Sequence, residues 1–473
     1  LLGYGGVYAG QAPHPYGYEL LHAINDHKHH MAAYSGVQVY QGDQFPSENL
    51  GSILQGNIHD NAVHQDTLKP NGSSFVASKW RDLVRANDGW FLPVSIEVGP
   101  DGAVWIMDWY DRYPCYQNAN ADPEGVDRER GRIWRVVHVG NQKGKPVPSR
   151  SSRDMNLASL SSEELVPLLA HANVWQRRTA QRLLSERRDS TVTPALGTMV
   201  QQAKTLEARL AALWTLHSAG LLDERALESH AADREPALRA WVARLTGERG
   251  DASEGPLGRL ASLAQDADPT VRLAVAVAAR QFTSGSLTVD TPPAIRPADA
   301  SPAEVIARLA TQPGTAGDPV LPFMIWMAAE PMLAHDPGLA LNWLLENGPA
   351  HMPLTGQLLG KTMRRICDTR SPTLLDSVMD FLGAVPADQA AFLRAALDGL
   401  IEGQKGKALL PAKPTAEFIA KLSANPNREV AARAQQLGTL WGDAASLKAT
   451  LARLSDASAA PADRIKAIQA ARQ

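Results

Sequence analysis

Residues 88–137 decide the fold prediction, and they read DGWFLPVSIEVGPDGAVWIMDWYDRYPCYQNANADPEGVDRERGRIWRVV. Residues 94–98 alternate apolar and polar side chains, which is the period of a half-buried strand. The turn sequence Gly-Pro-Asp-Gly at 99–102 and the apolar run at 103–107 follow, so we predict a hairpin with an Asp-Gly turn. After a polar loop, residues 131–136 predict a third strand. Two aromatic-rich strands joined by a tight turn, with a third after a loop, are typical of one β-propeller blade.

Short strand signals also fill the chain ahead of this stretch. Residues 37–40, 52–58, 62–68 and 74–77 are apolar or alternating, and turn residues separate them. At about 40–45 residues per blade, this part of the chain corresponds to about three blades. A closed propeller needs at least four blades, so we expect that this sequence is a fragment of a longer protein and that further N-terminal blades precede it.

The hydrophobic period changes from 2 to 3.6 beyond residue 153. Ala-rich apolar blocks recur there, each with an arginine near its start, at Arg178, Arg209, Arg239 and Arg272. This spacing of 30 to 33 residues is the length of one helix pair and is typical of a solenoid. We interpret the arginines as a structural ladder between helices. The predicted fold class is therefore multidomain β + α, with a partial β-propeller of about three blades followed by an α-helical HEAT-like solenoid.

The predicted domain bounds follow the changes in composition. Residues 1–140 are the C-terminal blades of a propeller, and the polar stretch 141–154 is a linker. Residues 155–283 form HEAT-like helical repeats, the Pro-rich stretch 284–302 is a second linker, and residues 303–473 form further HEAT-like repeats.

Composition excludes several functional classes. A net charge of −3 over 473 residues gives no electrostatic case for nucleic acid, and no apolar run is long enough for a transmembrane segment. The two cysteines, Cys115 and Cys367, allow neither a disulfide framework nor a Cys-based metal site. Without a Cys-x-x-Cys-His motif the chain carries no covalent haem. P-loop, G-x-S-x-G, H-E-x-x-H and helix-opening G-x-G-x-x-G motifs are also missing.

Histidines are concentrated near the start of the chain. Four of them fall within nine residues, at His22, His27, His29 and His30. A general base or metal ligand is one interpretation, because a neutral imidazole accepts a proton or binds a metal. For His22 and His27 a solvated polar loop is the favoured alternative. His59 is the stronger candidate base, since Asn57, Asp60 and Asn61 surround it at a predicted strand end.

Asp108 and Asp111 close the predicted strand of the opening stretch. Paired carboxylates at a strand exit can orient a histidine or hold Ca²⁺ through oxygen ligands. The alternative is that Asp108 accepts hydrogen bonds from backbone amides of a neighbouring propeller blade. Cys115 lacks an evident His–Asp partner, so we expect a buried or loop thiol and not a nucleophile.

Several of these motifs together resemble the membrane-bound dehydrogenase-like proteins of planctomycetes and verrucomicrobia. The resemblance covers most of the chain and is most specific over residues 35–137. It is carried by Tyr40-Gln41-Gly42-Asp43, Asn57-Ile58-His59, His64-Gln65-Asp66, Trp90-Phe91, Gly99-Pro100-Asp101-Gly102, Asp108-Trp109-Tyr110, Cys115, Gly131-Arg132-Ile133 and, in the helical part, Met324-Ile325-Trp326-Met327-Ala328-Ala329-Glu330-Pro331.

The resemblance implies a glucose/sorbosone-dehydrogenase-type propeller followed by HEAT repeats, often with a C-terminal cytochrome c domain. The implied activity is that of a quinoprotein-like sugar or alcohol dehydrogenase, with pyrroloquinoline quinone and Ca²⁺ as cofactors and a cytochrome c as electron acceptor. His59 is then the candidate base, and Asp108 is the candidate orienting or ion-binding group. A periplasmic or secreted location is expected. The alternative function is a non-catalytic scaffold, in which the propeller end binds a glycan or protein and the helical array docks a protein partner.

Overall fold

The computed structural model divides into two compact units. The first comprises Leu1–Tyr8, Ala23–Asn71 and Phe75–Ser229, and the second comprises Ala9–His22, Gly72–Ser74 and His230–Gln473. Within them the structure describes residues 16–19, 23–29, 33–113, 121–127, 129–140, 151–284, 302–406, 408–455, 461, 464, 465 and 468. The predictions about His22, His30, Cys115 and most of both linkers fall outside the described residues.

In the described part of the chain, seven strands form two antiparallel sheets. The first sheet has the order β1-β2-β3-β4 and the second has the order β5-β6-β7. The strands are β1 (Tyr34–Val39), β2 (Ile53–Asn57), β3 (Ala62–Asn71), β4 (Ser74–Arg85), β5 (Pro93–Val98), β6 (Val104–Asp108) and β7 (Arg132–Val136). Each predicted strand position therefore coincides with an observed strand, although the observed bounds of β3 and β4 extend further.

The prediction of a partial β-propeller is wrong. Among the described residues the sheets have four and three strands, neither sheet closes, and they do not form three blades. The prediction placed short strands at residues 62–68 and 74–77, whereas β3 and β4 form one long hairpin of 10 and 12 residues. Alternating side chains and Asp-Gly turns occur in every kind of antiparallel sheet. They predict strands without specifying how the sheets are arranged.

The Asp-Gly hairpin itself is confirmed. Gly102 has φ of +79°, a backbone conformation that glycine adopts without strain. Ile106 of β6 pairs with Ile96 of β5, and both side chains are buried. The Tyr40 hydroxyl donates to the carbonyl of Gly102 at 3.0 Å, which fixes the turn against the core of the first unit. That core consists of Tyr40, Leu54, Val63, Phe91, Ile96, Val98, Val104, Ile106 and Val174.

Helices make up the remainder of the described chain. They are α1 (Ser162–Leu165), α2 (Val174–Arg187), α3 (Thr193–Gln202), α4 (Leu206–Ser218), α5 (Glu224–Ala231), α6 (Pro236–Arg249), α7 (Glu254–Leu263), α8 (Pro269–Ser284), α9 (Pro302–Ala310), α10 (Leu321–His335), α11 (Pro337–Asn347), α12 (Leu354–Asp368), α13 (Pro372–Ala384), α14 (Ala390–Gly403), α15 (Ala416–Ser423), α16 (Arg428–Leu440) and α17 (Ala444–Ser455). This content is compatible with a HEAT-like solenoid. Among the described residues, no helix combines the length and the apolar character needed to cross a lipid bilayer.

The repeated arginines have a structural role, but in the first block the structural arginine is one residue earlier than predicted. In the first block the buried residue is Arg177, whereas Arg178 is exposed. Nη1 of Arg177, Arg239 and Arg272 donates to the carbonyl six residues earlier, at 2.7, 2.7 and 2.6 Å. Each arginine thus binds the loop that precedes its own helix and satisfies carbonyls at the end of that loop. The guanidinium of Arg209 makes a related bond, from Nε to the carbonyl of Val200 at 2.6 Å.

A buried carboxylate joins α8, α10 and α12 within the second unit. Nε of Arg365 on α12 donates to Oε1 of Glu330 on α10 at 2.7 Å. Nη1 of Arg280 on α8 lies 3.5 Å from the other oxygen of Glu330 and donates to the carbonyl of Met327 at 2.6 Å. Side-chain exposure is 6% for Glu330 and 4% for Arg280. Water is largely excluded from both charges, so each is stabilised by the opposite charge.

Cys367 is expected to be inert towards thiol reagents in the folded protein. Burial, together with the neighbouring Asp368 carboxylate, raises the pKa of its thiol to about 12, and the reactive species is the thiolate. In a Cys115→Ser background, 5,5′-dithiobis(2-nitrobenzoate) should therefore release thionitrobenzoate only after denaturant is added. A stoichiometric reaction within minutes in native buffer would contradict this expectation.

Candidate metal centre

A His/Asp cluster lies beside the first sheet. Asn25 forms an isolated bridge with Ala77 of β4, and this pairing holds the segment that carries His27 and His29 against the sheet. Asp66 lies on β3, the strand next to β4. The cluster therefore depends on a long-range pairing between the start of the chain and the β3–β4 hairpin.

Three ligand atoms converge within this cluster. Nε2 of His27 lies 3.2 Å from Nε2 of His29, and each of these nitrogens lies 3.3 Å from Oδ2 of Asp66. The two imidazole rings are perpendicular, with an interplanar angle of 89°. Asp66 has a fully buried side chain, His29 is 3% exposed, and His27 is 16% exposed. His27 is therefore the ligand that is nearest to solvent.

The triangle of atoms has the dimensions of a tetrahedral metal site. Zinc binds imidazole nitrogen and carboxylate oxygen at about 2.0–2.1 Å, so two ligands on a regular tetrahedron lie about 3.3–3.4 Å apart. Adjacent ligands of an octahedron at the same bond length would lie about 2.9 Å apart. The observed separations of 3.2–3.3 Å match the tetrahedral value.

Outer contacts hold two of these ligands. Nδ1 of His27 lies 2.9 Å from Oδ1 of Asp26, and Oδ2 of Asp26 accepts from the hydroxyl of Ser78 at 2.6 Å. Oδ2 of Asp66 accepts from Nε2 of Gln55 at 3.0 Å. Carboxylate or carbonyl partners of this kind orient the imidazole ligands of metal sites.

A second His/Asp group shares His29 but is organised differently. It consists of His29, His64 and Asp82, whose ligand atoms lie within 4.8 Å of one another. Nδ1 of His64 lies 2.7 Å from Oδ1 of Asp82, and its Nε2 lies 3.1 Å from Nδ2 of Asn57. Both ring nitrogens of His64 are thus engaged by protein groups. The His64 ring stacks on His29 at 3.8 Å with an interplanar angle of 6°, which packs the ring of His29 in place.

The electrostatic environment keeps His29 available as a ligand. Burial, followed by the nearby His64, lowers the pKa of His29, and these effects outweigh the opposing influence of Asp66. The neutral imidazole is therefore favoured over the charged form more than in a free histidine. Metals bind the neutral ring, so this shift favours His29 as a ligand.

His59 lies outside this cluster. It is half-buried in the turn between β2 and β3, and its backbone N–H donates to Oδ1 of Asn57 at 3.1 Å. It belongs to neither His/Asp group of the described residues. Its role as a base stays a prediction.

Asp108 lies at the end of β6 with four hydrogen-bond donors around its carboxylate. Oδ1 accepts from the backbone N–H groups of Leu92 and Tyr110 at 2.8 and 3.1 Å. Oδ2 accepts from Nε of Arg132 at 2.7 Å and from Nε1 of Trp134 at 2.8 Å. His59 is not among these partners, so the structure does not bring the two predicted site residues into contact. These are the contacts of an anchor for the second sheet, and the catalytic role of Asp108 stays a prediction.

Asp108→Ala is expected to destabilise the folded chain by about 2–4 kcal/mol, because four donors lose a buried acceptor and one of them is the backbone N–H of the buried Leu92. Urea unfolding would measure the loss. Asp88→Ala is the matched control, since Asp88 also binds Arg132 but has a 42% exposed side chain. An equal loss in both variants would show that the Asp108 carboxylate is not the anchor.

The sequence offered a signal for the metal centre that the site prediction did not use. His27-x-His29 and His64-x-Asp66 both place potential ligands two residues apart. His64 and Asp66 lie on β3, where residues at this spacing share one face, whereas His27 and His29 lie in the segment that follows the Asn25 bridge. The prediction grouped the early histidines but gave His27 to a solvated loop and did not connect the group to Asp66.

Comparison with known proteins supports a family match over part of the chain. Residues 11–140 match the family model DUF7133, a domain of unknown function. The match contains every residue of the His/Asp cluster. A comparison with curated proteins gave no match. One similar solved structure is the crystal structure of an engineered protein, which is 14% identical, covers 66% of this chain and 98% of its own, and has a TM-score of 0.22.

Proposed function

We propose that the first unit binds one divalent transition-metal ion through His27, His29 and Asp66. The observation that carries this proposal is the triangle of ligand atoms, with separations of 3.2, 3.3 and 3.3 Å. Two imidazoles and one carboxylate form a ligand set that is intermediate between hard and soft. Zn²⁺, Co²⁺ and Fe²⁺ suit this set, whereas Ca²⁺ takes six to eight oxygen ligands and Mg²⁺ takes an octahedron of oxygens.

The chemistry that such an ion supplies is that of a Lewis acid. With two neutral imidazoles and one carboxylate, the centre keeps a net charge of +1, which favours an anionic or polarised oxygen ligand. A bound ion polarises a carbonyl, alcohol or water oxygen. The sugar or alcohol oxidation that the resemblance implies stays a separate proposal, as do pyrroloquinoline quinone, Ca²⁺ and a cytochrome c acceptor.

The test is a metal titration of the full chain after treatment with a chelator. Isothermal titration calorimetry with Zn²⁺ and Co²⁺ should give one ion per chain, and Ca²⁺ should bind about 100-fold more weakly or not at all. Co²⁺ should produce the intense visible absorption of a tetrahedral centre. Calorimetry that shows no Zn²⁺ or Co²⁺ binding, or binding that His27→Ala leaves unchanged, would overturn the proposal.

One observation supports the alternative function of a non-catalytic scaffold. The helices α1–α17 are compatible with HEAT-like repeats, and such arrays bind protein partners on extended surfaces. A metal centre in the first unit and a docking role for the helices are not mutually exclusive. Affinity capture with the full chain, followed by the same capture with a His29→Ala variant, would separate partners that need the metal centre from those that do not.

A further inference from the structure

Asp26 connects a proposed metal ligand to the sheet. Its backbone N–H donates to the carbonyl of Ala77 at 3.1 Å, and its Oδ2 accepts from the Ser78 hydroxyl at 2.6 Å. Both contacts lie on β4. Oδ1 is left to face Nδ1 of His27 at 2.9 Å. The position of this carboxylate is thus set by the strand and not by the histidine.

This contact matches the tautomer that a metal ligand needs. A metal ion on Nε2 of His27 leaves the hydrogen of the neutral ring on Nδ1, and the Asp26 carboxylate is an acceptor for that hydrogen. His29 differs, because its buried Nδ1 has no hydrogen-bond partner in the part of the chain that the structure describes. Among the described residues, His27 therefore has an outer carboxylate on the ring nitrogen that faces away from the ligand triangle, whereas His29 does not.

We propose that Asp26 is a positioning residue of the metal centre, which directs Nε2 of His27 at the ion and raises its donor strength. This inference rests on the metal site proposed above. Outer carboxylates of metal-bound histidines contribute about 10–100-fold to metal affinity. The Asp26 side chain is 49% exposed, so water competes for the hydrogen bond and the lower end of that range applies.

The test compares Zn²⁺ affinity and Co²⁺ spectra of Asp26→Asn with those of the unmodified full chain. We expect Asp26→Asn to weaken Zn²⁺ binding about 10-fold and to shift the visible Co²⁺ bands, because the amide is a weaker acceptor for the imidazole proton. A purely structural role would leave the Co²⁺ spectrum of the saturated protein unchanged. Ser78→Ala should produce a smaller change in the same direction.

Asp189→Asn is the charge control, since it removes one carboxylate from an exposed turn of the same unit. Its Zn²⁺ affinity and Co²⁺ bands should equal those of the unmodified chain. If Asp26→Asn binds Zn²⁺ with unchanged affinity and gives the unmodified Co²⁺ spectrum, the positioning role is refuted while the metal centre stands. If the unmodified chain binds neither ion, the metal centre fails and the positioning role fails with it.

Discussion

His29→Ala is expected to reduce the affinity of the chain for Zn²⁺ by more than about 100-fold. Loss of an outer partner of a metal-bound histidine costs about 10–100-fold, and loss of a ligand itself costs more. Nε2 of His29 is one corner of the ligand triangle, 3.2 Å from His27 and 3.3 Å from Asp66. Competition with a chromophoric chelator would measure both affinities under the same conditions.

A thermal shift gives a second readout of the same change. A ligand that binds only the folded state stabilises it by about 2.7 kcal/mol at 100 times its dissociation constant. Zn²⁺ should therefore raise the melting temperature of the unmodified chain and leave that of His29→Ala unchanged. Because His29 is buried and stacked on His64, the metal-free stability of the variant must be measured first. Asp66→Asn replaces the buried carboxylate with a group of the same shape and should lose Zn²⁺ affinity in the same way.

His59→Ala is the matched control for this experiment. The removed imidazole belongs to neither His/Asp group, and the backbone N–H bond to Asn57 is retained by alanine. Zn²⁺ affinity should stay at the unmodified value. The metal centre would be refuted if His59→Ala and His29→Ala changed the affinity equally. If the separate proposal of sugar oxidation holds, the same variant also tests the base predicted from the sequence, since dye-linked sugar oxidation should then disappear in His59→Ala.

Glu330→Ala is expected to cost about 3–5 kcal/mol of stability in the second unit. The substitution leaves the guanidinium groups of Arg280 and Arg365 without their shared carboxylate, at side-chain exposures of 4% and 13%. Removing one partner of a buried ion pair is costly because the remaining charge stays desolvated. Denaturant unfolding followed by tryptophan fluorescence would report the loss, since the buried Trp326 lies one helical turn before Glu330.

Two further variants distinguish a buried charge effect from a general loss of packing. Glu402→Ala removes an exposed carboxylate that faces Arg364 at 3.8 Å, and the unfolding midpoint should not change measurably. The triple substitution of Glu330, Arg280 and Arg365 by leucine and methionines should recover most of the stability, because apolar replacement of a whole buried ion cluster is often neutral. A loss below about 1 kcal/mol in Glu330→Ala would contradict the buried network.

Local sequence patterns predicted the individual strands and turns better than the arrangement of the sheets. Alternation over residues 94–98 and the Asp-Gly turn led to the observed β5–β6 hairpin, because both signals act between neighbours in sequence. The arrangement of sheets depends on contacts between distant residues, such as Tyr40 with Gly102, which no local period encodes. The propeller prediction failed at that step.

The sequence did not predict the proposed metal centre, because its residues are distant from one another in the chain. His27 and Asp66 are 39 positions apart, and they meet because residues 24–26 pair with Ala77 of the β3–β4 hairpin. A histidine ahead of the first predicted strand has the composition of a loop, and only the long-range pairing makes it a ligand. Asp108 is the opposite case. Its position at the end of a strand suggested a catalytic carboxylate, but in the structure the carboxylate accepts four hydrogen bonds from neighbouring groups of the protein.

The arginines of the helical array have an evolutionary consequence. Nη1 of Arg177 and Nη1 of Arg272 each bind two carbonyls in the loop just before their own helix, so each arginine and these carbonyl acceptors are encoded within about seven consecutive residues. Duplication or deletion of a whole repeat therefore moves each arginine together with these carbonyls. An array built in this way can change its number of repeats by recombination while each of these buried arginines keeps its loop acceptors.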